Sequence, residues 1–286
     1  MTRFKAAALQ MCSSTRPEEN ARTFEQLVRE AAGLGATYVQ SPEMTGALVR
    51  DRAALRALLN PQDSDIIAST AARLAAELEI HIHVGSTPIA LDGGKVANRA
   101  FLFAPGGRLV ASYDKIHMFD VDLDNGESWR ESATYQPGGR TVVAELPFAR
   151  LGLSVCYDLR FPQLFRAQAM AGADVLTVPA AFTKQTGEAH WHVLLRARAI
   201  ENGAWVVAAA QGGLHEDGRE TFGHSMIVDP WGGIVAEAGH DEPGVIVAEI
   251  DTAASVAARK KIPNLKNARE FTVDMAGPQP LRGAAS

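Results

Sequence analysis

The sequence predicts an α/β protein built on a large system of mixed sheets, and three observations carry that reading. Strand-like and helix-like segments alternate from the start of the chain; a proline-glycine turn near residue 105 joins two strand-like runs as a hairpin; and no Pro/Ser-rich linker, low-complexity tract or charge run divides the 286 residues. Alternation alone favours parallel strands, the hairpin adds antiparallel ones, and the unbroken chain is expected to form one domain over residues 1–275.

Residues 4–10 read as an opening strand. Residues 17–34 then place Ala21, Phe24, Leu27, Val28, Ala31 and Ala32 at helical spacing before Gly33 and Gly35 end the run. The next apolar run, 37–40, halts at Pro42 and Glu43. A second helix fits 65–78, where Ile66, Ile67, Leu74 and Leu78 share a face and Asp63 or Ser64 would cap it. A strand over 80–85 follows. Runs 100–104 and 108–113 flank Pro105, Gly106 and Gly107, the hairpin signature. A polar loop over 120–139 leads to strands at 141–146 and 151–155. Beyond them lie a helix opened by Pro162, a strand at 175–179, a long helix near 189–201 and a strand at 205–210. The remaining strands surround turns at 230–233 and 242–244. Residues 276–286, rich in Pro, Gly and Ala, read as a loosely held tail.

Composition removes several function classes. With 28 basic against 33 acidic residues the formal charge is −5, which lacks the basic excess of a general nucleic-acid binder. Two cysteines, Cys12 and Cys156, are too few for a disulfide scaffold and suit a reducing compartment. No stretch approaches the roughly 20 apolar residues of a membrane span, and the N-terminus lacks a signal-peptide pattern, so a cytoplasmic location is expected.

Three polar residues stand just after strand-like runs: Glu43, Lys115 and Cys156. Ligands and catalytic groups collect at the carboxyl ends of strands in α/β sheets, so a carboxylate, an ammonium and a thiol would converge there. The turn 157–160 and Pro162 at a helix start place Cys156 near a helix N-terminus, a setting that lowers a thiol pKa. Cys12 reads as a core residue. His81 and His83 share a strand face without the further ligands that zinc needs, and His190 and His192 diverge on a helix. Gly106-Gly107 and Gly138-Gly139 lack any phosphate-binding pattern. No metal and no cofactor are expected.

Five stretches, in order, resemble the nitrilase or carbon-nitrogen hydrolase superfamily: Pro42-Glu43; Tyr113 to Asp122; Val155 to Pro162; Gly187 to Trp191 with Leu194 to Glu201; and Gly223 to Met226 through Asp229 to Gly232. The resemblance implies a four-layer α-β-β-α sandwich and a Glu43-Lys115-Cys156 triad. In that scheme Cys156 attacks an amide carbonyl and forms a thioester. Glu43 passes the thiol proton to departing ammonia and then activates water, and Lys115 with the Tyr157 backbone N–H holds the oxyanion. A second glutamate after the lysine is also implied. Glu131, followed by Ser132, matches it, with Glu127 as competitor because Asp124-Asn125 replaces the Pro-Gly common in relatives.

Within the superfamily the stretches resemble the Nit branch, whose members act on deaminated glutathione or on ω-amides of 2-oxo acids. Deaminated glutathione is the favoured small-molecule substrate; an omega-amidase, a nitrilase, an N-carbamoyl amidase and an inactive interaction scaffold are the alternatives. Arg160 is the candidate for a substrate carboxylate, against a structural pairing with Asp158 or another core acid. Phe182, Thr183 and His190 are candidate pocket residues, while Trp191 and Leu194 suit packing equally. Ser41 and residues 44–50 depart from the superfamily pattern. A homodimer is implied.

Overall fold

The computed structural model describes residues 2–123, 126, 128–275 and 277. The first half of the chain runs β1 (Arg3–Gln10), α1 (Pro17–Gly33), β2 (Tyr38–Gln40), α2 (Arg52–Leu58), α3 (Ile66–Leu78), β3 (His81–Ala90), β4 (Val96–Phe103) and β5 (Leu109–Asp114). Pro17 occupies the first turn of α1, where its missing N–H costs nothing, and Glu18 and Glu19 face the positive end of the helix dipole. The cap of α3 is Asp65, which accepts from Ala68 N at 2.8 Å. Asp63 and Ser64, expected in that role, instead belong to a separate 3-10 turn. The helix α2 escaped the sequence reading because seven residues are too few to display a period; Asp51 caps it by accepting from Ala54 N at 2.7 Å.

The second half runs β6 (Asp120–Asp122), β7 (Ser128–Arg130), β8 (Val142–Glu145), β9 (Arg150–Leu153), α4 (Pro162–Met170), β10 (Val175–Thr177), α5 (Lys184–Asn202), β11 (Trp205–Ala208), β12 (Gly212–Leu214), β13 (Glu220–Phe222), β14 (Met226–Val228), β15 (Ile234–Glu237), β16 (Gly244–Asp251) and α6 (Thr252–Lys261). The polar stretch expected as loop therefore contains the antiparallel pair β6 and β7. Helix α5 starts earlier than expected, ahead of Gly187. A Cβ at Gly187 would lie 2.2 Å from Phe222 Cβ, so glycine sits inside the helix to let β13 pack against it. Apart from Gly277, the tail expected at 276–286 lies outside the described residues.

Two six-stranded sheets result, with orders β16-β1-β2-β3-β4-β5 and β15-β14-β11-β10-β9-β8. Each has three central parallel strands, β1-β2-β3 and β9-β10-β11, flanked by antiparallel neighbours. Successive side chains of β1 alternate between two cores: Ala7 and Leu9 pack with Phe24, Leu27, Ile67 and Leu74 of α1 and α3, while Ala6 and Ala8 join Leu151, Val175 and Val206 of the other sheet. Trp191, Leu195 and Ala199 of α5 cover that second sheet from outside. The order of layers is thus helix, sheet, sheet, helix, as the resemblance implied.

Gly85 of β3 marks where the two sheets close on one another. A Cβ there would fall 2.1 Å from Ser41 O and 2.3 Å from Pro179 Cβ. The segments leaving β2 and β10 both press on this backbone, which brings Glu43 and Ala181 together.

Candidate active site

Glu43 follows β2 past a proline and enters the interior with 4% exposure. The turn that aims it inward is held at several points. Met44 adopts φ 56°, an uncommon value for a residue with a Cβ. Thr45 Oγ1 donates to Pro42 O at 2.8 Å, and Gln211 Nε2 donates to Glu43 O at 2.9 Å. The carboxylate accepts from Asn98 Nδ2 and Lys115 Nζ through Oε1, each at 2.9 Å, and from Ala181 N through Oε2 at 2.9 Å.

Lys115, at the end of β5, is 2% exposed. Its ammonium donates to Glu43 Oε1 and to both oxygens of Glu131, at 3.0 and 2.8 Å. Glu131 is itself fixed by Phe119 N at 2.7 Å and Asn98 Nδ2 at 3.2 Å. A buried ammonium is tolerable only when paired and hydrogen-bonded, and two carboxylates meet both conditions. Glu131 thus brings a second carboxylate to the cluster; its competitor Glu127 lies outside the described residues.

Cys156 follows β9 in a 3-10 turn (Cys156–Arg160), with φ 51° and its N–H donating to Pro179 O at 2.8 Å. Asp158 ties this turn down. Its buried carboxylate accepts from Tyr113 OH at 2.7 Å and Val155 N at 2.8 Å through one oxygen, and contacts His117 N and Nδ1 at 3.1 and 2.6 Å through the other. The Glu43 carboxylate and the Ala181 N–H, themselves hydrogen-bonded at 2.9 Å, both lie near enough to the Cys156 thiol to act on its titration.

These contacts set the protonation states. Burial would raise the Glu43 pKa, yet the Lys115 charge and the Cys156, Lys115 and Asn98 hydrogen bonds hold it below its ordinary value. Burial would lower the Lys115 pKa, but Glu131 and Glu43 hold it well above the usual lysine range. The Cys156 thiol is raised well above its ordinary value, by burial first and then by the Glu43 charge, with Lys115 opposing. The sequence expectation of a helix-lowered thiol is thus overturned. The α-helix begins only at Pro162, and the Glu43 charge outweighs that of Lys115 at the thiol. The resting state is a thiol beside a carboxylate and an ammonium.

A cavity of about 300 Å³ opens over this cluster, and Tyr157, Phe182 and Thr183 line it as expected. Arg160 and His190 do not. Arg160 Nη1 donates to His190 Nδ1 at 3.2 Å, and its guanidinium lies over the Tyr157 and Phe182 rings at 5.9 and 5.4 Å. The alternative pairing of Arg160 with Asp158 is also absent among the described residues, because Asp158 serves Tyr113, His117 and Val155. Asn98 and Gln211 were missed; the sequence signal for Asn98 was a lone amide within the apolar stretch 96–103.

The histidines and the other cysteine take structural places. His83 contacts Tyr38 OH at 2.9 Å, and burial pushes it down to about 3. His192 Nε2 and His224 Nδ1 approach the same Glu237 oxygen at 2.7 and 2.8 Å, away from the residues lining the cavity. Cys12 is half-buried rather than core, because β1 ends before it; its thiol stands 3.6 Å from Leu214 O and 3.7 Å from His215 Nδ1.

Known proteins resemble this chain along most of its length. The chain is 42% identical over 275 residues to a deaminated glutathione amidase of Synechocystis sp., covering 93% of this chain and 98% of that one. It is 33% identical over 284 residues to the omega-amidase NIT2 of Homo sapiens, covering 97% and 100%. The crystal structure of the C. elegans NitFhit protein matches with TM-score 0.87 and 32% identity over 94% of this chain and 66% of that longer one. The model of the carbon-nitrogen hydrolase family matches residues 5–260, and on these grounds the chain belongs to that family.

Proposed function

We propose that this hydrolase cleaves the C–N bond of a small carboxylated amide through a thioester on Cys156. The observation that carries the reading is the buried Glu43-Lys115-Cys156 cluster, with an ionised carboxylate beside a protonated thiol at the floor of a cavity. A thiol held this high is a poor nucleophile until its proton leaves, so a base must remove that proton as the sulfur attacks. Glu43 is that base. The S–C bond forms, the carbonyl π pair moves to oxygen, and Glu43 holds the thiol proton.

The oxyanion needs fixed donors. Lys115 has three N–H donors; Glu43 takes one and Glu131 straddles a second, leaving one for the oxyanion alongside the Tyr157 N–H at the start of the 3-10 turn. Collapse of the adduct breaks the C–N bond as Glu43 delivers its proton to the departing nitrogen. Water then gives a proton to Glu43 and attacks the thioester, and the expelled sulfur recovers that proton. Glu131 and Asn98 act through the other groups as positioning residues.

Deaminated glutathione is the preferred substrate, on the strength of the 42% identity to an amidase of that name, and ω-amides of 2-oxo acids are the alternative. Ammonia, the expected product, fits an ω-amide. Deaminated glutathione carries its amide between a 2-oxo acyl chain and cysteinylglycine, so the same collapse expels the dipeptide amine. With either deaminated glutathione or 2-oxoglutaramate the acyl product is 2-oxoglutarate. The test is 2-oxoglutarate, amine and ammonia release from a panel of both compounds, N-carbamoyl amino acids and simple nitriles. Turnover of only the last two classes would overturn the reading.

We also propose a homodimer in a reducing cytoplasm. Exposed Val193 and Ile200 on α5, with Trp231 and Ile262 nearby in the outer layer, form the apolar surface that supports pairing, and the two free thiols suit that compartment.

A further inference from the structure

The cavity contains more positive charge than the triad chemistry uses. Lys115 is balanced by Glu43 and Glu131, and Arg130 is paired with Asp122 at 2.8 Å. Three further arginines line the same cavity: Arg50, Arg52 and Arg219. They come from separate parts of the chain, Arg50 and Arg52 from the segment entering α2 and Arg219 from the turn between β12 and β13.

Two of these guanidiniums gather on one indole ring. The Arg219 carbon lies 4.4 Å and the Arg50 carbon 4.9 Å from the centre of Trp129, which β7 presents to the cavity. Like charges repel, and stacking on tryptophan offsets only part of that cost. Among the described residues Arg50 has no ion pair, and Arg219 reaches a carboxylate only at 3.5 Å, to Asp217. The Arg219 side chain is 16% exposed, and neither its Nε nor Asp217 Oδ2 has a hydrogen-bond partner among the described residues, so that ion pair is held by charge alone. Guanidinium forks match carboxylates, which accept two parallel N–H bonds.

We propose that Arg219 and Arg50, fixed by Trp129, bind a carboxylate of the substrate remote from its scissile amide and thereby determine specificity. This rests on the amidase reading above and names its substrate class: amides with an anionic end. Arg160, outside the cavity, does not take this role. The aromatic floor of Phe119, Tyr157 and Phe182 accommodates the apolar chain between the two ends.

The experiment compares Arg219→Gln and Arg50→Gln with the unaltered chain on acid and ester forms of the same amides, 2-oxoglutaramate and deaminated glutathione against their methyl esters. Two variants on separate elements guard against a folding defect in one, and circular dichroism checks each. The expected result is a KM for the acids raised about 10- to 100-fold in either variant, as the loss of a charge-assisted hydrogen bond implies, with kcat much less affected and KM for the esters unmoved. Equal effects on acid and ester, or none on the acids, would overturn the inference while leaving the amidase reading intact. If the unaltered chain cleaved neither acid nor ester, the amidase reading itself would fail and the inference with it.

Discussion

Lys115 and Glu43, 72 positions apart in the chain, meet in an ion pair of 2.9 Å with side-chain exposures of 2% and 5%. Glu131 closes on the same ammonium from the other side, so three charges share a space from which water is nearly excluded. Removing the cation leaves two carboxylates facing each other. Lys115→Met should lose about 3–5 kcal/mol at neutral pH and recover part of it on mild acidification, as one carboxylate takes a proton. Urea unfolding at neutral pH and near pH 5 measures both effects.

Glu43→Gln keeps the size of the side chain and removes the proposed base. Turnover should fall about 10²- to 10⁴-fold, the usual worth of positioned proton transfer. Single-turnover kinetics should place the loss in formation of the thioester, because the high pKa of Cys156 leaves little thiolate to act unaided.

The pH profile follows from the same shifts. The proposed mechanism needs Glu43 ionised and Cys156 protonated. The Glu43 pKa lies below its ordinary 4.5 and that of Cys156 above its ordinary 9.0. The plot of kcat/KM against pH should therefore be flat between those two values. For stability, Glu43 is a lowered acid, so its contribution is present above 4.5 and lost as pH falls through its folded value. Lys115 is a raised base, so its contribution is present below 10.5 and lost as pH rises through its folded value. Urea midpoints across the range check both signs.

Arg160→Ala tests the correction to the sequence reading. Its guanidinium lies over the Tyr157 and Phe182 rings, a contact worth about 0.5–1 kcal/mol, and KM for a carboxylated amide should rise no more than about fivefold. A much larger rise would place Arg160 on the substrate.

Gly85→Ala should disturb the site without touching the chemistry. The added methyl meets Ser41 O and Pro179 Cβ, and the segment bearing Glu43 must move. Overpacking of this kind costs about 1–3 kcal/mol, and a thermal melt together with a fall in kcat would register the displacement.

Much of this arrangement was legible in the sequence because it is written in local pattern. The spacing of Phe24, Leu27 and Val28 declares a helix, and Pro105-Gly106-Gly107 declares a turn, before any tertiary contact forms. The positions of Glu43, Lys115 and Cys156 after strand-like runs were equally visible, although only resemblance supplied their roles. What depended on partners distant in the chain was not legible. Gln211 reaches Glu43 from across the sandwich, Asn98 bridges two carboxylates, and Arg50 and Arg219 meet on Trp129 from three separate elements. The sign of the Cys156 shift was misread for the same reason: a local turn pattern pointed to a helix terminus, whereas burial and Glu43 dominate.

The most direct measurement is rapid acid quenching of the chain during turnover of its best amide substrate, followed by peptide mass analysis. The account predicts the acyl mass on the peptide bearing Cys156, lost by hydrolysis over time, with no adduct and no turnover in Cys156→Ala. An acyl group on any other side chain, or hydrolysis by Cys156→Ala at the unaltered rate, would contradict it.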